Sequence, residues 1–399
     1  MLRLRPLLWL IACLLFAKPA LAIPADANEG WFARADAGGQ ATFDLISQPE
    51  LSAAFHPVDS KSIRTGGGSS ALWLRRQLND ASELQYLLII APFLQELDLY
   101  VLQADTLLEH AQTGSRLQQN QRPVPARDFF LALPQSSQPL TLYLRLSSPY
   151  TLRPLLSIAP ASAMLANDQR VVLLAALLGA LAMLALYSLV RIFYLRSAAA
   201  LWLTLSQITL VLSIMHLLGM LPDWLQILRP LQGPLGTLVI LCTMIATVGF
   251  VRSLLSWPQS SPKAQKALTA MMLVMATGIP ACLLLAAHHS TIVIFLAGCI
   301  ALPLLLLAGC LHWRRGNQSA GWLCLSLLTA VVISIAGVGY FLNIRPFSMI
   351  TETDWLLAGI LLSSFLSSMA LRDQQLLQLG VKINAARQRA ARQGELKAK

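Results

Sequence analysis

The run VVLLAALLGALAMLALYSLVRIF occupies residues 171–193 and contains a single charged side chain, Arg191. About 20 apolar residues in a helix cross a hydrocarbon core roughly 30 Å thick. A helix is the natural interpretation, because lipid cannot satisfy exposed backbone polar groups. The run therefore predicts a transmembrane helix, and it follows a stretch of ordinary soluble composition over residues 23–168.

Six further apolar runs follow, so the sequence predicts a bundle of seven transmembrane helices. The predicted spans are 171–193, 199–219, 234–254, 268–287, 291–311, 321–342 and 354–371. Of the 399 residues, 56% are hydrophobic and 12% are charged, whereas globular proteins carry about 25% charged residues. A short turn predicted at residues 288–290 separates spans four and five, and without it the count would be six or fewer.

The positions of the basic residues predict the orientation of these spans. The loops after spans one, three and five carry Arg196, Arg252, Lys263, Lys266, Arg314 and Arg315. The loops after spans two, four and six contain only Arg229 and Arg345 as basic residues. Because basic loops stay in the cytoplasm, the C-terminus is expected inside the cell. The orientation of the spans thus accounts for the excess of basic residues behind the net charge of +11, and no nucleic-acid partner is expected.

The N-terminus has the three parts of an export signal. Arg3 and Arg5 precede an apolar core over residues 7–16, and the A-x-A sequence at residues 20–22 predicts cleavage before Ile23. An uncleaved anchor is the alternative. Export agrees with the orientation from the basic loops, and a bacterial inner membrane location is expected. The predicted domains are a signal peptide 1–22, a periplasmic sensor 23–165, a membrane domain 171–372 and a basic helical tail 373–399.

The segment before the first span has short runs of alternating polarity, separated by turn residues. These runs are 41–46, 71–78, 84–90, 97–102, 128–133, 140–146 and 155–158. Seven or eight short strands of this kind predict an all-β sandwich or jelly roll. The predicted fold is therefore a periplasmic β-domain followed by a seven-helix transmembrane bundle.

The order and spacing of several motifs carry a family resemblance over residues 30–372. In the β-domain they are Trp73-Leu74-Arg75, Leu97-Asp98-Leu99-Tyr100, Arg122-Pro123 and residues 142–148, and in span one Gly179 and residues 186–190. The chain resembles the bacterial seven-transmembrane receptors with diverse intracellular signalling modules, with their type 2 extracellular domain. That resemblance implies a jelly roll similar to carbohydrate-binding modules. It also implies that the bundle passes a signal to a histidine kinase or diguanylate cyclase.

The resemblance leaves the ligand class open among glycans, metal ions and small carboxylates. An aromatic ring can stack on a sugar, and an arginine fork can bind a carboxylate or a pair of hydroxyls. The candidate contacts are Trp73, Arg75, Tyr86, Arg122, Arg127, Tyr143 and Arg145. Strand alternation places Trp73 and Arg75 on the sheet face opposite Leu72 and Leu74. The alternative is that Trp73 belongs to a core and Arg75 to an internal ion pair.

The segment after span seven is too short for an output domain. Residues 372–399 number 28, and an independent domain needs at least about 40. They contain no histidine and no glycine-rich nucleotide loop, so a non-enzymatic chain with a separate kinase or cyclase partner is expected. A 3-4 apolar spacing is typical of a coiled-coil seam and comprises Leu376, Leu379, Ile383, Ala386 and Ala390. Contact with a partner, contact with anionic membrane lipid and a simple continuation of span seven all remain open.

Few polar residues interrupt the spans. His216 is interpreted as a packing residue, with a proton relay as the alternative. Small residues at four-residue spacing, including Ala175 with Gly179 and Gly359 with Ser363, indicate close helix packing. A helix that shifts, or that forms a homodimer, is the second interpretation. No disulfide, metal site or cofactor is expected from Cys13, Cys242, Cys282, Cys299, Cys310 and Cys324.

These features together predict a receptor that senses a periplasmic small ligand or glycan and signals through a separate protein. The alternative is a transporter accessory or substrate-binding membrane protein, which a polar lining across several spans would support. An intramembrane enzyme using His216 and the serines of span seven is the third and weakest hypothesis.

Overall fold

A computed structural model shows a β-domain followed by long helices. The structure describes residues 30–58, 63, 70–79, 81, 83–91, 94–115, 117, 121–124, 126, 128–148, 154–160, 162–220, 232–255, 262–284, 287–342 and 353–398. The predicted export signal and Arg127 lie outside these residues.

The β-domain is a sandwich of two antiparallel sheets. The described strands are β1 (Trp31–Asp36), β2 (His56–Val58), β3 (Ala71–Leu78), β4 (Gln85–Ile90), β5 (Glu96–Gln103), β6 (Thr106–Thr113), β7 (Phe129–Ala132), β8 (Leu140–Ser147) and β9 (Leu155–Pro160). One sheet has the order β2-β1-β3-β8-β5-β6, and the other has the order β7-β4-β9. The prediction of an all-β domain is confirmed, whereas jelly-roll connectivity stays a prediction.

Period-two alternation explains where the core lies. Leu72 and Leu74 of β3 point to one side of the large sheet, and Leu87 and Ile89 of β4 point toward them from the small sheet. All four are buried in one shared cluster. The faces of β3, β8 and β5 that point away from this cluster are consequently free to carry polar and aromatic side chains.

The strand predicted over residues 41–46 is wrong, because Phe43–Ile46 forms the short helix α1. The carboxylate of Asp36 accepts hydrogen bonds from the backbone N–H groups of Gly39 and Ala41, which turns the chain before the helix. Helical spacing then places Phe43 and Ile46 against the outer face of the large sheet. A second short helix, α2, covers Pro49–Ser52.

Strands β1, β2 and β6 were not predicted from the sequence. The β6 sequence TLLEHAQT has no apolar alternation, and most of its side chains are exposed. It pairs only with β5 at the edge of the large sheet. An edge strand with little buried surface gives a weak hydrophobic pattern, which explains its absence from the prediction.

Seven long helices follow in the described part of the chain. They are α3 (Ser162–Leu195), α4 (Ala198–Leu217), α5 (Gln232–Leu254), α6 (Pro262–Leu284), α7 (Ala287–Arg314), α8 (Gln318–Leu342) and α9 (Thr353–Ala398). Helices α3 to α8 each contain a stretch long and apolar enough to cross a membrane. The predicted span 354–371 forms the first part of α9, which is not among those six.

The turn predicted at residues 288–290 is wrong, although the helix break itself exists. Helix α6 ends at Leu284 and α7 begins at Ala287, so the two histidines lie in the first turn of α7. The first backbone N–H groups of a helix lack partners within the helix. Polar residues are therefore common there, and they imitate the composition of a loop.

Small residues have different roles in α3 and α9. Ala175 and Gly179 of α3 are exposed, and a side chain added at Gly179 would meet no atom within 4 Å. They therefore do not form a helix contact within the described chain. A Cβ added at Gly359 of α9, in contrast, would lie 2.6 Å from the Ile333 side chain of α8. The predicted close packing is confirmed for span seven alone.

Candidate functional site

Strand register brings four of the seven candidate ligand contacts together on the outer face of the large sheet. Trp73 lies opposite Arg145, and Arg75 lies opposite Tyr143, on the paired strands β3 and β8. Residues that are direct partners across antiparallel strands project to the same face. Trp73 and Arg75 thus share one face, as the sequence predicts. Tyr143 and Arg145 of β8 lie on the same face.

The indole of Trp73 fills the centre of a small second core on this face. It is 0% exposed and packs with Ile46, Phe55, Leu102 and Tyr143. Helix α1 forms part of the cover over the ring through Ile46. In this conformation Trp73 therefore supports the site from beneath and presents no ring face to solvent.

Arg75 and Arg145 have different surroundings on the shared face. The guanidinium of Arg75 lies 5.7 Å from the ring centroid of Phe32 and 5.9 Å from that of Phe55. Such placement is favourable, because the negative ring face attracts a cation. Arg145 lies among oxygen acceptors.

Arg145 lies at the centre of an ion cluster on this face. Its Nη1 lies 3.2 Å from Glu96 Oε2 and 3.3 Å from Asp98 Oδ2, and its Nη2 donates to Gly39 O at 3.0 Å. Asp98 also accepts a 2.8 Å hydrogen bond from Gln112 Nε2. Asp98 is buried, while the side chain of Glu96 is 31% exposed. Glu96 and Arg145 thus form the part of the cluster that solvent reaches.

A stack of three rings borders the ion cluster. The ring of Tyr100 lies 4.3 Å from that of Phe43 on one side and 4.3 Å from that of His110 on the other, with nearly parallel planes. Burial raises the pKa of the Tyr100 phenol, and the negative charge of Asp98 raises it further. The phenol is thus held in its neutral form, in which it can both donate and accept a hydrogen bond.

The other three candidates lie elsewhere or outside the described residues. Tyr86 is on β4 in the small sheet and is half-buried. Arg122 is buried in a loop, where Nη1 donates to Ala126 O at 3.1 Å and the guanidinium lies 5.0 Å from the Phe129 ring centroid. Arg127 is not described. The structure therefore does not bring Tyr86 or Arg122 into the Arg145 cluster.

Metal binding has no prepared ligand set in this part of the chain. Among the described residues, no group of three or more His, Cys, Asp or Glu side chains has the spacing to hold a metal ion. Asp98 and Glu96 already share the charge of Arg145.

Two family profiles match the chain over nearly its whole length. Residues 29–159 match the family described as 7TMR-DISM extracellular 2. Residues 170–374 match the family described as 7TM diverse intracellular signalling. The chain belongs to the 7TMR-DISM family. No curated protein matches the sequence.

Membership of the 7TMR-DISM family confirms the resemblance seen in the sequence. The chain is a multi-pass membrane protein of the receptor type, with an extracellular sensor domain and a membrane domain that signals. The gap between the two matched regions includes the start of α3, near the change in composition that the sequence showed. The ligand and the signalling partner of this 7TMR-DISM chain are not given by the family.

Sequence reasoning missed most partners of Arg145 in this 7TMR-DISM sensor. The segment Glu96-Leu97-Asp98-Leu99-Tyr100 alternates polar and apolar residues, which places Glu96, Asp98 and Tyr100 on one face. That alternation was a usable signal for these three side chains. His110 and Phe43 carried no such signal, because one lies on the unpredicted edge strand and the other on α1.

Contacts at one end of the helix bundle join α9 to three other helices. Arg191 Nη2 of α3 donates to Gln375 Oε1 at 2.6 Å, and Gln374 Nε2 donates to Leu254 O of α5 at 3.0 Å. Asp373 accepts a 2.8 Å hydrogen bond from the indole of Trp322 on α8. Beyond these contacts α9 continues to Ala398. These contacts connect α3, α5 and α8 to the point where α9 leaves the bundle.

Proposed function

We propose that this 7TMR-DISM chain is a receptor of the bacterial inner membrane that senses a periplasmic small ligand or glycan. The β-domain would face the periplasm, and the end of α9 would lie in the cytoplasm. The positive-inside distribution supports this orientation, since the loops next to α3, α5 and α7 carry most of the loop Lys and Arg. The export signal predicted over residues 1–22 supports it independently.

The cluster around Arg145 is the observation that carries the ligand proposal. A partly exposed carboxylate and guanidinium are held at fixed positions by the buried Asp98 and by Gly39 O. Oriented charged groups of this kind form stronger hydrogen bonds than neutral groups do. The paired groups can donate to and accept from adjacent hydroxyls at once, which is the pattern a sugar ring presents.

Binding to the full chain in lipid nanodiscs tests this assignment. The probes are neutral oligosaccharides, uronic acids and small dicarboxylates, each titrated by calorimetry. Glu96→Gln is expected to weaken the binding of a ligand found in this way at least tenfold, because a charge-assisted hydrogen bond is lost. Glu109→Gln is the matched control, since Glu109 is exposed on β6, one residue before His110 and so on the opposite face. Equal affinity of the two variants would exclude this face as the ligand site.

Helix α9 is proposed as the output element, acting on a separately encoded histidine kinase or diguanylate cyclase. The described part of α9 beyond the bundle exposes Leu376, Leu379 and Ile383 of the predicted seam. Exposed apolar side chains at coiled-coil spacing favour a helical partner over a purely electrostatic contact with lipid. The chain itself is proposed to be non-enzymatic, and a homodimer through the same seam is compatible with this mode of signalling.

Paired substitutions on α9 test the output proposal. Leu379→Asp places a charge on the seam, and Val381→Asp places the same charge on another exposed position of the helix. Each variant is co-expressed with candidate kinases or cyclases from the same genome, and their ligand-dependent activity is measured. Leu379→Asp is expected to abolish the response while membrane insertion is unchanged, and Val381→Asp is expected to retain it. A full response from Leu379→Asp would contradict a seam-mediated output.

Transport is the second candidate function, and one observation favours it. Polar side chains from several helices, including Ser206, Thr247 and Ser326, line a cavity within the bundle. A transporter accessory would deliver substrate from the β-domain toward such a lining. Flux of the identified ligand into proteoliposomes that contain only this protein would support transport and displace the receptor proposal.

A further inference from the structure

Residues of helices α4 to α9 line a cavity of about 260 Å³. Most of its wall consists of leucine, isoleucine, valine and methionine side chains, such as Leu210, Met275 and Leu305. Polar side chains interrupt this apolar wall: besides Thr243, Ser334 and Ser364 there is a stripe made of Ser206, Gln207, Thr247, Ser326, Ser363 and Ser367. The cavity lies among the transmembrane helices and is separate from the cluster on the β-domain.

Gln207 is the polar group in this wall with an unmet hydrogen-bonding requirement. The residue is 1% exposed, and its Nε2 donates to Ser368 Oγ at 3.1 Å and to Ser364 O at 3.4 Å. Its Oε1 is buried and has no hydrogen-bond partner among the described residues. An unpaired buried acceptor is costly, and most such groups in folded proteins have a partner. The carbonyl oxygen of Gln207 therefore indicates that something is normally bound beside it.

The hydroxyls of the stripe have no hydrogen atoms to spare. Ser326 donates to Ser363 O, Ser363 donates to Ser326 O, and the 2.8 Å contact between Ser326 and Ser367 must then use the hydrogen of Ser367. Thr247 donates to its own helix at Thr243 O, so the contact between Ser206 and Thr247 uses the hydrogen of Ser206. Each hydroxyl has one hydrogen but two lone pairs. The stripe is consequently rich in acceptors and poor in donors.

We propose that this cavity binds a neutral, mainly apolar molecule that donates a hydrogen bond to Gln207 Oε1. The molecule must be a donor, because the amide oxygen of Gln207 can only accept a hydrogen bond. It must be neutral, because none of the described residues lining the cavity is charged and a bare ion would lose its hydration without a counter-charge. A cavity of about 150 Å³ holds one benzene, so the larger volume here admits about ten non-hydrogen atoms.

Occupation would act on α9 directly. Gln207 belongs to α4 and bonds Ser368 and Ser364 of α9, and Ser326 of α8 bonds two further serines of the same helix. A molecule that bridges Gln207 and these serines stabilises the contact of α9 with α4 and α8. The inference does not depend on what the β-domain binds.

Indole and benzofuran are a matched pair of probes for this site. They have nearly the same shape and nine non-hydrogen atoms, but only indole has an N–H donor. The full chain in lipid nanodiscs is titrated with tritiated indole, and binding to empty nanodiscs is subtracted to remove partitioning into lipid. Saturable binding of about one indole per chain is expected, with benzofuran competing between about two- and tenfold less well, as for the loss of one hydrogen bond.

Two variants locate the binding within the cavity. Gln207→Leu removes the acceptor at similar volume and is expected to lower indole affinity to that of benzofuran. Ala330→Leu fills the cavity from α8 and is expected to abolish binding of both probes. The matched controls are Gln374→Leu, a buried glutamine elsewhere in the bundle, and Ala336→Leu, an alanine of α8 outside the cavity wall. Both controls are expected to bind indole like the unaltered protein.

These titrations distinguish a site that requires a hydrogen-bond donor from an apolar cavity and from a cavity filled with water. Equal affinity for indole and benzofuran, unchanged by Gln207→Leu, would overturn the proposal, and so would the absence of saturable binding. Thermal unfolding of each variant shows whether it is folded. If Ala330→Leu does not fold, the comparison of the two probes on the unaltered protein and on Gln207→Leu still decides the proposal.

Discussion

The outer face of the large sheet and the helix bundle both bury polar side chains, but they use different chemistry. On the sheet, Arg145 is neutralised by Asp98 and Glu96. In the bundle, Gln207 and Ser326 form neutral hydrogen bonds, several of them to backbone carbonyls. Water reaches one side of the sheet cluster and lowers the cost of full charges there. Lipid cannot solvate a charge in this way, so the polar contacts around Gln207 and Ser326 are made by uncharged groups.

The largest effect that this comparison predicts is the loss of Arg145. Arg145→Met is expected to destabilise the β-domain by about 3 kcal/mol, because it leaves Asp98 buried without its cation. The measurement is hydrogen exchange of β5 and β8 peptides in the full chain during urea unfolding. The double variant Arg145→Met with Asp98→Leu should recover part of the lost stability, since the remaining carboxylate, Glu96, is partly exposed to water. A loss below about 1 kcal/mol in the single variant would show that the cluster behaves as an exposed surface pair.

The bundle should respond more weakly to the loss of a polar group. Ser326→Ala removes the hydroxyl that bonds Ser363 and Ser367 of α9 and is expected to cost about 1 kcal/mol. Thr329→Val is the matched control on the same helix, because its hydroxyl donates to the α8 carbonyl of Leu325. The free energy of unfolding in detergent titrations measures both. If Ser326→Ala costs as much as Arg145→Met, the contrast between the two regions fails.

The two regions also differed in how well their sequences predicted them. Most helix ends of the bundle lie within six residues of the predicted span ends, because the length of an apolar run is a local property. The exceptions are α3, which begins nine residues before its predicted span, and α9, which continues 27 residues beyond its predicted span. The predicted span 234–254 and helix α5 end at the same residue, Leu254. In the β-domain, strands with buried alternating faces were found, whereas β6 and the helix at Phe43–Ile46 were not. Both depend on contacts with β5, which the local pattern does not contain.

Site residues were predictable only where strand alternation carried the information. Arg145 and Tyr143 were selected from one strand, and the structure brings both to one face. Asp98 and Arg145 are 47 residues apart in the sequence, and the pairing of β5 with β8 places them opposite each other. The cavity beside Gln207 had no sequence signal, because the rotation of each helix about its axis is set by packing among helices. Gln207 itself lay within an apolar run that predicted only a span.

The smallest predicted effect concerns Tyr100, in the ring stack beside the ion cluster. Its contribution to the free energy of unfolding should decrease at alkaline pH. Burial, and then the charge of Asp98, raise the pKa of Tyr100 above its ordinary value of 10.0. As pH rises past about 10, the unfolded chain releases this proton before the folded chain does, so the contribution of Tyr100 to stability is lost. Tyr100→Phe keeps a ring between Phe43 and His110 and removes the titration. The measurement is the difference in free energy of unfolding between the native full chain and Tyr100→Phe. This difference should be constant below pH 9 and should shrink above pH 10. If this difference stays constant through pH 11, Tyr100 has the same pKa in the folded and unfolded chain. The charge of the ion cluster would then have no effect on the ring stack.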